Sequence, residues 1–376
     1  MAAARRRVLI VTNDFPPRAG GIQSFVHQLA VRLPSELVVY ASDHAGSAAF
    51  DAQQPFPVVR HPTSLLTPTP AARRRVTETL RRHRATAVWF GAAAPLGLLA
   101  PALRSAGARR LVATTHGHEV GWAMLPGARQ LLRRIGTSCD VVTYLGEYTR
   151  SRLTGALGPQ ACLAPLTPGV DVTAFHPQVN GRQVRSEFGL ADRRVVVCVS
   201  RLVPRKGQDT LIRALPAIRA SVPGAALLIV GGGRYEGALR RLAQREHVAE
   251  DVVLTGPVPW PELPKYFAAG HVFAMPCRTR RAGMDIEGLG IVYLEAGATG
   301  KAVVAGDSGG APDAVLDGRT GFVVDGRDLN AVTDAVARLL GDRALRDSMG
   351  AAGRTWVETS WRWDVIAGRL DELLQG

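Results

Sequence analysis

The chain has 376 residues, 46% of them apolar and 21% charged, which suits two domains with cores of their own and excludes a disordered polypeptide. Its formal charge is +14, and with only three lysines almost all of the positive charge is arginine. A surplus of this size attracts polyanions or an anionic bilayer, but there is no RNP-type aromatic pattern, helix-turn-helix or zinc spacing, so no nucleic-acid partner is expected. No apolar run reaches the roughly 18 residues that span a bilayer. The opening residues 1–7 show neither an apolar signal core nor a cleavage site. Cys139, Cys162, Cys198 and Cys277 are scattered, without a C-x-x-C pair, and read as inert thiols of a reducing cytoplasm.

Residues 7–13 form a short apolar run, the pattern of a first strand in a parallel sheet. Asp14-Phe-Pro-Pro-Arg-Ala-Gly-Gly-Ile-Gln-Ser24 follows, then a helix over about 22–33. A strand, a turn at Gly20 and Gly21 and a helix suit phosphate, though the glycines also serve as simple turn residues. The spacing is neither G-x-G-x-x-G nor Walker A, which disfavours ordinary dinucleotide and NTP sites. Further strands are predicted at 37–41, 58–60, 87–90 and 110–115, an alternation that indicates a doubly wound α/β domain. Between them, Arg73, Arg74, Arg75, Arg81, Arg82 and Arg84 stand against a single Glu78, interleaved with Val76 and Leu80. On a helix this would be a basic amphipathic face, either ordinary and solvated or suited to an anionic membrane surface.

Two predicted strand exits carry unusual residues. Trp89-Phe-Gly-Ala-Ala-Ala-Pro95 is a small-residue loop entering a helix. Thr114-Thr-His-Gly-His-Glu119 places His116 and His118 at an exit, without the H-E-x-x-H spacing of a zinc helix. His116 is read as a neutral imidazole donating to a sugar hydroxyl or phosphate, with a loop-capping histidine as the competing reading. A strand at 140–145 and a helix from Glu147 come next, and a domain boundary is placed near 164–170 in a stretch rich in Pro and Gly.

The second half repeats the rhythm. The predicted strand 194–199 exits into Ser200-Arg-Leu-Val-Pro-Arg-Lys-Gly-Gln-Asp209, so Arg201, Arg205 and Lys206 sit at a strand end suited to an anion. Helix 210–221, strand 226–230 and Gly231-Gly-Gly-Arg-Tyr-Glu-Gly237 follow, the last failing the dinucleotide fingerprint at Glu236. After a strand at 252–255, the Gly256-Pro-Val-Pro-Trp260 run, with Val258, suits a base pocket. A buried strand at 272–276 leads to Arg281-Ala-Gly-Met-Asp-Ile-Glu-Gly-Leu-Gly-Ile-Val-Tyr-Leu-Glu-Ala-Gly297, where seven residues separate Glu287 from Glu295. Gly288 and Gly290 lie where a helix would open at Ile291 and Val292, and free N–H groups at such an end favour a phosphate. Carboxylates on either side would hold hydroxyls, which suits a nucleotide sugar. Gly306-Asp-Ser-Gly-Gly310 copies a trypsin-like nucleophile loop, but the α/β pattern excludes that fold, and its glycines are expected to approach the nucleotide. A last helix is predicted near 331–340, then an amphipathic C-terminal segment to Leu374.

These stretches, above all 13–24, 89–95, 115–122, 200–209 and 287–292, resemble the GT-B retaining glycosyltransferases along essentially the whole chain. Within them they are similar to the GDP-mannose-dependent phosphatidylinositol monomannoside mannosyltransferases. The resemblance implies two Rossmann-like doubly wound domains facing a deep cleft, an acceptor-side domain over 1–167, a nucleotide-sugar domain over 168–356 and a final helix over 357–376 that crosses back. It implies GDP-mannose as donor, with no metal cofactor required, and the inositol ring of a phosphatidylinositol monomannoside as acceptor, α-1,6-linked with retention. The expected setting is the inner face of the cell membrane, as a peripheral protein. Gly20, Gly21, Arg201 and Lys206 would hold the diphosphate with backbone at Gly290, Ile291 and Val292. Glu287 would contact mannose, Glu295 the ribose and backbone near Val258 the guanine. His116 matches the catalytic histidine, and Asp14 would face the acceptor. Same-face attack, with the leaving phosphate taking the acceptor proton, is preferred over a carboxylate nucleophile. Arg281, Lys301 and Asp313 depart from the family pattern and bear on fine donor geometry. The alternatives are the first-step phosphatidylinositol mannosyltransferase, a UDP-sugar transferase, a nucleotide-sugar epimerase of the same fold and a non-catalytic basic binding protein.

Overall fold

The computed structural model describes residues 7–376, so the expectation about a signal over 1–6 lies outside the described residues. The chain forms two compact units, one running to Gly169 and taking in Trp363–Gly376, the other Val170–Arg362.

The first unit holds β1 (Arg7–Thr12), β2 (Glu36–Ser42), β3 (Val58–His61), β4 (Ala87–Phe90), β5 (Arg110–Thr114), β6 (Val141–Tyr144) and β7 (Leu163–Pro165). They make one parallel sheet in the order β3-β2-β1-β4-β5-β6-β7. β4 is buried along its whole length and β1 in all but its first residue, because helices cover both faces and each strand must be apolar on both sides. The arginine-rich stretch is the helix Pro70–Arg82, started by proline and capped by Thr69 Oγ1, which accepts from Ala72 N at 3.2 Å. Its Val76 and Leu80 are buried in the unit's own core, while Arg73, Arg74, Arg75, Arg81 and Arg82 stay exposed. The apolar stripe therefore faces protein, and the face offered outward carries the arginines with Glu78 among them. The final helix, Trp363–Gln375, buries Ile366, Ala367, Leu370 and Leu374 in a core shared with Val8, Ile10, Trp89 and Val112.

The second unit holds β8 (Arg194–Val199), β9 (Ala225–Val230), β10 (Val252–Leu254), β11 (Val272–Met275), β12 (Ala302–Gly306) and β13 (Gly321–Val324). These are again all parallel, in the order β10-β9-β8-β11-β12-β13. The predicted strands fall on these elements within a residue or two. One long helix, Arg343–Ser360, is absent from the sequence reading. Two glycines within four residues, Gly350 and Gly353, weaken the helical signal there, and tertiary packing accounts for them. A Cβ on Gly350 would lie 2.2 Å from the Gly300 carbonyl oxygen, and one on Gly353 3.4 Å from the Gly297 Cα, so this helix packs closely against the one before β12.

Candidate active site

In the second unit the strand order reverses between β8 and β11, and the carboxyl ends of strands at such a reversal are where a sheet of this kind places its ligand crevice. The loop after β8 forms a short turn, Pro204–Lys206, ended by Gly207 at φ +79°. A Cβ on Gly207 would sit 2.0 Å from the Pro276 carbonyl oxygen, so only glycine lets this turn press against the exit of β11. Lys206 is thereby buried with its Nζ 2.6 Å from Oε2 of Glu287, itself buried on the loop after β11. Arg205 lies alongside, with Nη1 3.4 Å from Asp285 Oδ1 and Nε 4.0 Å from Glu287 Oε2.

A second ion pair braces the first. Arg278 forks onto both carboxylate oxygens of buried Asp209 at 2.8 and 2.9 Å, and its other arm donates to Thr210 Oγ1 at 2.8 Å. This ties the β11 exit to the start of the helix Gln208–Ser221. Arg201 differs from its neighbours, being exposed and without a side-chain partner among the described residues. Its backbone is set by the loop Gly231-Gly-Gly233, where a Cβ on Gly231 would lie 2.1 Å from Ser200 O and one on Gly233 2.4 Å from Leu202 O. These glycines serve the close approach of two loops.

Past Glu287, Gly290 adopts φ +78° and opens the helix Ile291–Ala298, which has no acid in its first turn. Tyr293 anchors that helix to β11 by donating from its hydroxyl to Met275 O at 2.6 Å. The amides of Ile291 and Val292 thus start a helix beside Glu287, an anion-favouring end. Glu295, one turn on, is half-buried and has no ion pair or side-chain hydrogen bond among the described residues; burial alone pushes its carboxyl up to about 7. Val258 is half-buried in the loop after β10, packed against the same core.

The Gly306–Gly310 loop corrects an expectation. Its glycines do not line an open space for a nucleotide: a Cβ on Gly309, at φ +59°, would lie 2.0 Å from the Glu287 carbonyl oxygen, and one on Gly310 2.2 Å from that of Gly288. The loop is a backstop for the Glu287 segment, and Gly310 N donates to Glu287 O at 3.0 Å. Buried Ser308 is held by Thr279 Oγ1 at 3.0 Å and is no nucleophile. Gly309→Ala is therefore expected to destabilise the unit by about 2 kcal/mol or more and to displace Glu287, read as a lowered melting temperature together with a raised KM for the donor.

The departures from the family pattern separate. Arg281 is exposed, at φ +51°, in the short turn Arg281–Gly283, and Asp313 lies in the turn Ala311–Ala314. Lys301 immediately precedes β12, at the opposite edge of the sheet from Lys206 and Glu287, so it has no bearing on donor geometry.

In the first unit the order reverses between β1 and β4, and Asp14, Gly20 and Gly21 follow β1. Asp14 accepts from Gln23 Nε2 at 2.8 Å; burial raises its carboxyl, against the pull of Arg18, His118 and His44. Gly20 caps the ten-residue helix Gly21–Ala30, where a Cβ would meet the Gln23 amide at 2.1 Å, whereas at Gly21 a Cβ would find open space. His116, after β5, has Nε2 2.6 Å from the Gly91 carbonyl oxygen after β4, bridging the exits of these two neighbouring strands beside the point where the order reverses. Burial is the main cause that brings its imidazole down to about 4, so the ring is neutral and Nε2–H must donate to Gly91. The sequence reading had this ring donating to a ligand; the donor is already committed, and Nδ1 remains as an acceptor. Glu119, unassigned in the sequence reading, is fully buried and accepts from His116 N at 2.9 Å, holding the loop. An acid three residues after the histidine, at the start of a helical turn, was the available signal. Among the described residues no group of three or more His, Cys, Asp or Glu is placed to hold a metal ion.

Residues 19–174 match the Glycosyltransferase Family 4 description and residues 182–356 that of Glycosyl transferases group 1. The chain is 56% identical to the GDP-mannose-dependent alpha-(1-6)-phosphatidylinositol monomannoside mannosyltransferase of Mycolicibacterium smegmatis, over 98% of both chains. It is 47% identical to the GDP-mannose-dependent monoacylated alpha-(1-6)-phosphatidylinositol monomannoside mannosyltransferase of Corynebacterium glutamicum, over 99% of both. Among solved structures, Anabaena HepE in complex with UDP superposes with a TM-score of 0.80 at 20% identity, covering 98% of this chain and 99% of that one, a likeness of fold alone. Two parallel-sheet α/β units of seven and six strands, and full-length identity above one half, lead to one assignment: the chain belongs to the GT-B, Family 4 glycosyltransferases, in the family of the GDP-mannose-dependent phosphatidylinositol monomannoside mannosyltransferases.

Proposed function

We propose that this protein transfers mannose from GDP-mannose to the inositol ring of a phosphatidylinositol monomannoside, forming the α-1,6-linked dimannoside with retention of configuration. The observation that carries this reading is the 56% identity, along 98% of both chains, to an enzyme of that name. The second unit supports a donor site, with Lys206, Arg201 and the amides at Gly290, Ile291 and Val292 taking the diphosphate. Charge builds on GDP as the sugar–phosphate bond breaks, and preplaced cations stabilise it without reorganising at the moment of reaction. Glu287 then has two tasks, neutralising Lys206 before the donor arrives and accepting from mannose hydroxyls afterwards. Glu295 accepts from the ribose, and backbone near Val258 borders the guanine.

On the acceptor side Asp14 and the Nδ1 lone pair of His116 are assigned, and the helix start at Gly20 and Gly21 in the same unit offers amide donors to an anion. No metal enters this chemistry. The decisive assay uses purified protein, radiolabelled GDP-mannose and two acceptors, phosphatidylinositol and its monomannoside. Label on the monomannoside alone supports the reading; label on plain phosphatidylinositol moves the protein one step earlier and overturns it.

A lipid acceptor requires action at a membrane surface. No helix among the described residues is long and apolar enough to cross one. We assign the contact to the inner face of the cell membrane and to the exposed arginines of Pro70–Arg82. Because Val76 and Leu80 are buried in the core, that contact is electrostatic and does not insert a helix face. Replacing Arg73, Arg74, Arg81 and Arg82 by alanine is expected to weaken binding to anionic vesicles about tenfold or more, and raised salt should do the same to the unaltered protein. Co-sedimentation unchanged by either treatment would remove this role.

A further inference from the structure

A second gathering of cations lies in the same unit as the donor crevice. β8, β11 and β12 are parallel, so Arg194, His271 and Lys301, at or just before their first residues, share the amino edge of the sheet. At a rise of about 3.3 Å per residue, this edge is roughly 15–20 Å from the carboxyl edge that carries Lys206 and Glu287. The three residues line a recess of about 400 Å³ together with Arg185, Arg343 and Arg346. The one carboxylate in its lining, Asp347, lies 3.3 Å from Arg343 Nε and 3.5 Å from Arg346 Nε. Charge is thus far from balanced.

Structural duties account for part of the cluster. Buried Arg346 donates to the Leu339 and Leu340 carbonyls, both at 3.3 Å, and Lys301 to the Ala268 carbonyl at 3.2 Å, so each caps a helix end. Arg185 and Arg194 have no such duty: neither makes a side-chain hydrogen bond or ion pair among the described residues. Their positive charge registers on neighbouring groups. Burial first, then Arg185 and Arg346, bring the Lys301 ammonium down to about 8. Burial and the surrounding cations bring His271 down to about 4, and its Nδ1 accepts from Val195 N at 3.0 Å. His271 is therefore neutral and fixed, and the unspent positive charge is that of Lys301 and the arginines.

We propose that this recess is a second anion site, separate from the donor crevice, which takes a phosphate-bearing ligand, either a small soluble phosphate or the phosphate of a lipid headgroup. Arg185 and Arg194 are its free donors, Lys301 turns its remaining N–H groups inward, and Arg343 closes the rim. A guanidinium fork matches two phosphate oxygens, and a partly buried setting strengthens each contact.

The test is calorimetric titration of the full-length protein, first saturated with GDP, with inorganic pyrophosphate. One further equivalent is expected. Its Kd should rise at least about tenfold in the Arg185→Ala/Arg194→Ala variant, since each lost charged hydrogen bond is worth about that factor, and stay unchanged in Lys206→Ala. With GDP held saturating, the further rise in melting temperature that pyrophosphate gives the unaltered protein should vanish in the same double variant, a readout that does not depend on activity. Phosphatidylcholine vesicles with and without phosphatidic acid, tested with Arg73, Arg74, Arg81 and Arg82 already replaced by alanine, separate the sources: a headgroup site loses the remaining phosphatidic-acid-dependent binding when Arg185 and Arg194 are also replaced, and a soluble-phosphate site does not. No equivalent beyond GDP, or pyrophosphate binding indifferent to Arg185 and Arg194, overturns the proposal.

Discussion

Lys206→Ala is expected to lower turnover of GDP-mannose by about 10²–10³-fold, the usual cost of removing one preplaced donor to a developing charge. It should also lower the melting temperature, because the buried Glu287 carboxylate keeps only Arg205 Nε at 4.0 Å in place of an ammonium at 2.6 Å. Stripping a partner from a buried pair costs about 3–5 kcal/mol when no compensation remains, and with Arg205 still in reach the loss should fall below that. Arg201→Ala separates the two effects. Exposed and unpartnered, it should lose turnover to a similar degree while stability changes by about 0.5 kcal/mol or less. Glu287→Gln in the Lys206→Ala background should recover stability and leave activity low. Near-normal turnover in Lys206→Ala, measured at saturating donor and acceptor, would remove Lys206 from the chemistry.

Glu295→Gln is expected to make the protein more stable and a poorer binder. The carboxyl titrates about 7 in the fold against an ordinary value of 4.5, raised by burial alone. Between those two values the folded state holds a proton that the unfolded chain has lost, so this group's contribution falls as pH rises through the window and is most unfavourable above 7. Converted by linkage, the penalty at pH 8 is at most about 3 kcal/mol. The glutamine variant should melt higher than the parent at pH 8 and level with it near pH 4.5. Ribose hydroxyls donate to the ionised carboxylate, so KM for GDP-mannose in the parent should worsen as pH drops below 7, and that dependence should flatten in the variant. A variant that melts lower at pH 8, with an unchanged KM profile, would show Glu295 to be a packing residue.

Much of this was legible in the residues. Buried parallel strands are continuous apolar runs, so Val272–Met275 and Arg194–Val199 announce themselves, and the loops that follow them are where ligands bind. Lys206 and Glu287 could be nominated from such loops; that they neutralise each other 2.6 Å apart could not, because pairing across 81 positions is a product of the fold. The glycines at 306–310 misled: they look like a ligand loop but serve backbone-to-backbone contact, as do those at 231–233, and local composition does not separate these uses. The polarity of His116 was not legible, since its tautomer depends on a carbonyl 25 positions away. Arg278 and Asp209 were invisible for the same reason: a bidentate pair 69 positions apart leaves no local signature.

The membership of Trp363–Gln375 in the first unit has a consequence for synthesis. A ribosome finishes the last strand of that unit by Pro165, yet the face of Val8, Ile10, Trp89 and Val112 is covered by residues made some two hundred positions later. The unit that is translated first is thus completed last, after all of Val170–Arg362 has emerged and had time to fold. A fragment ending at Gly169 would expose that apolar face to water and aggregate, and the same helix supplied in trans should rescue its solubility.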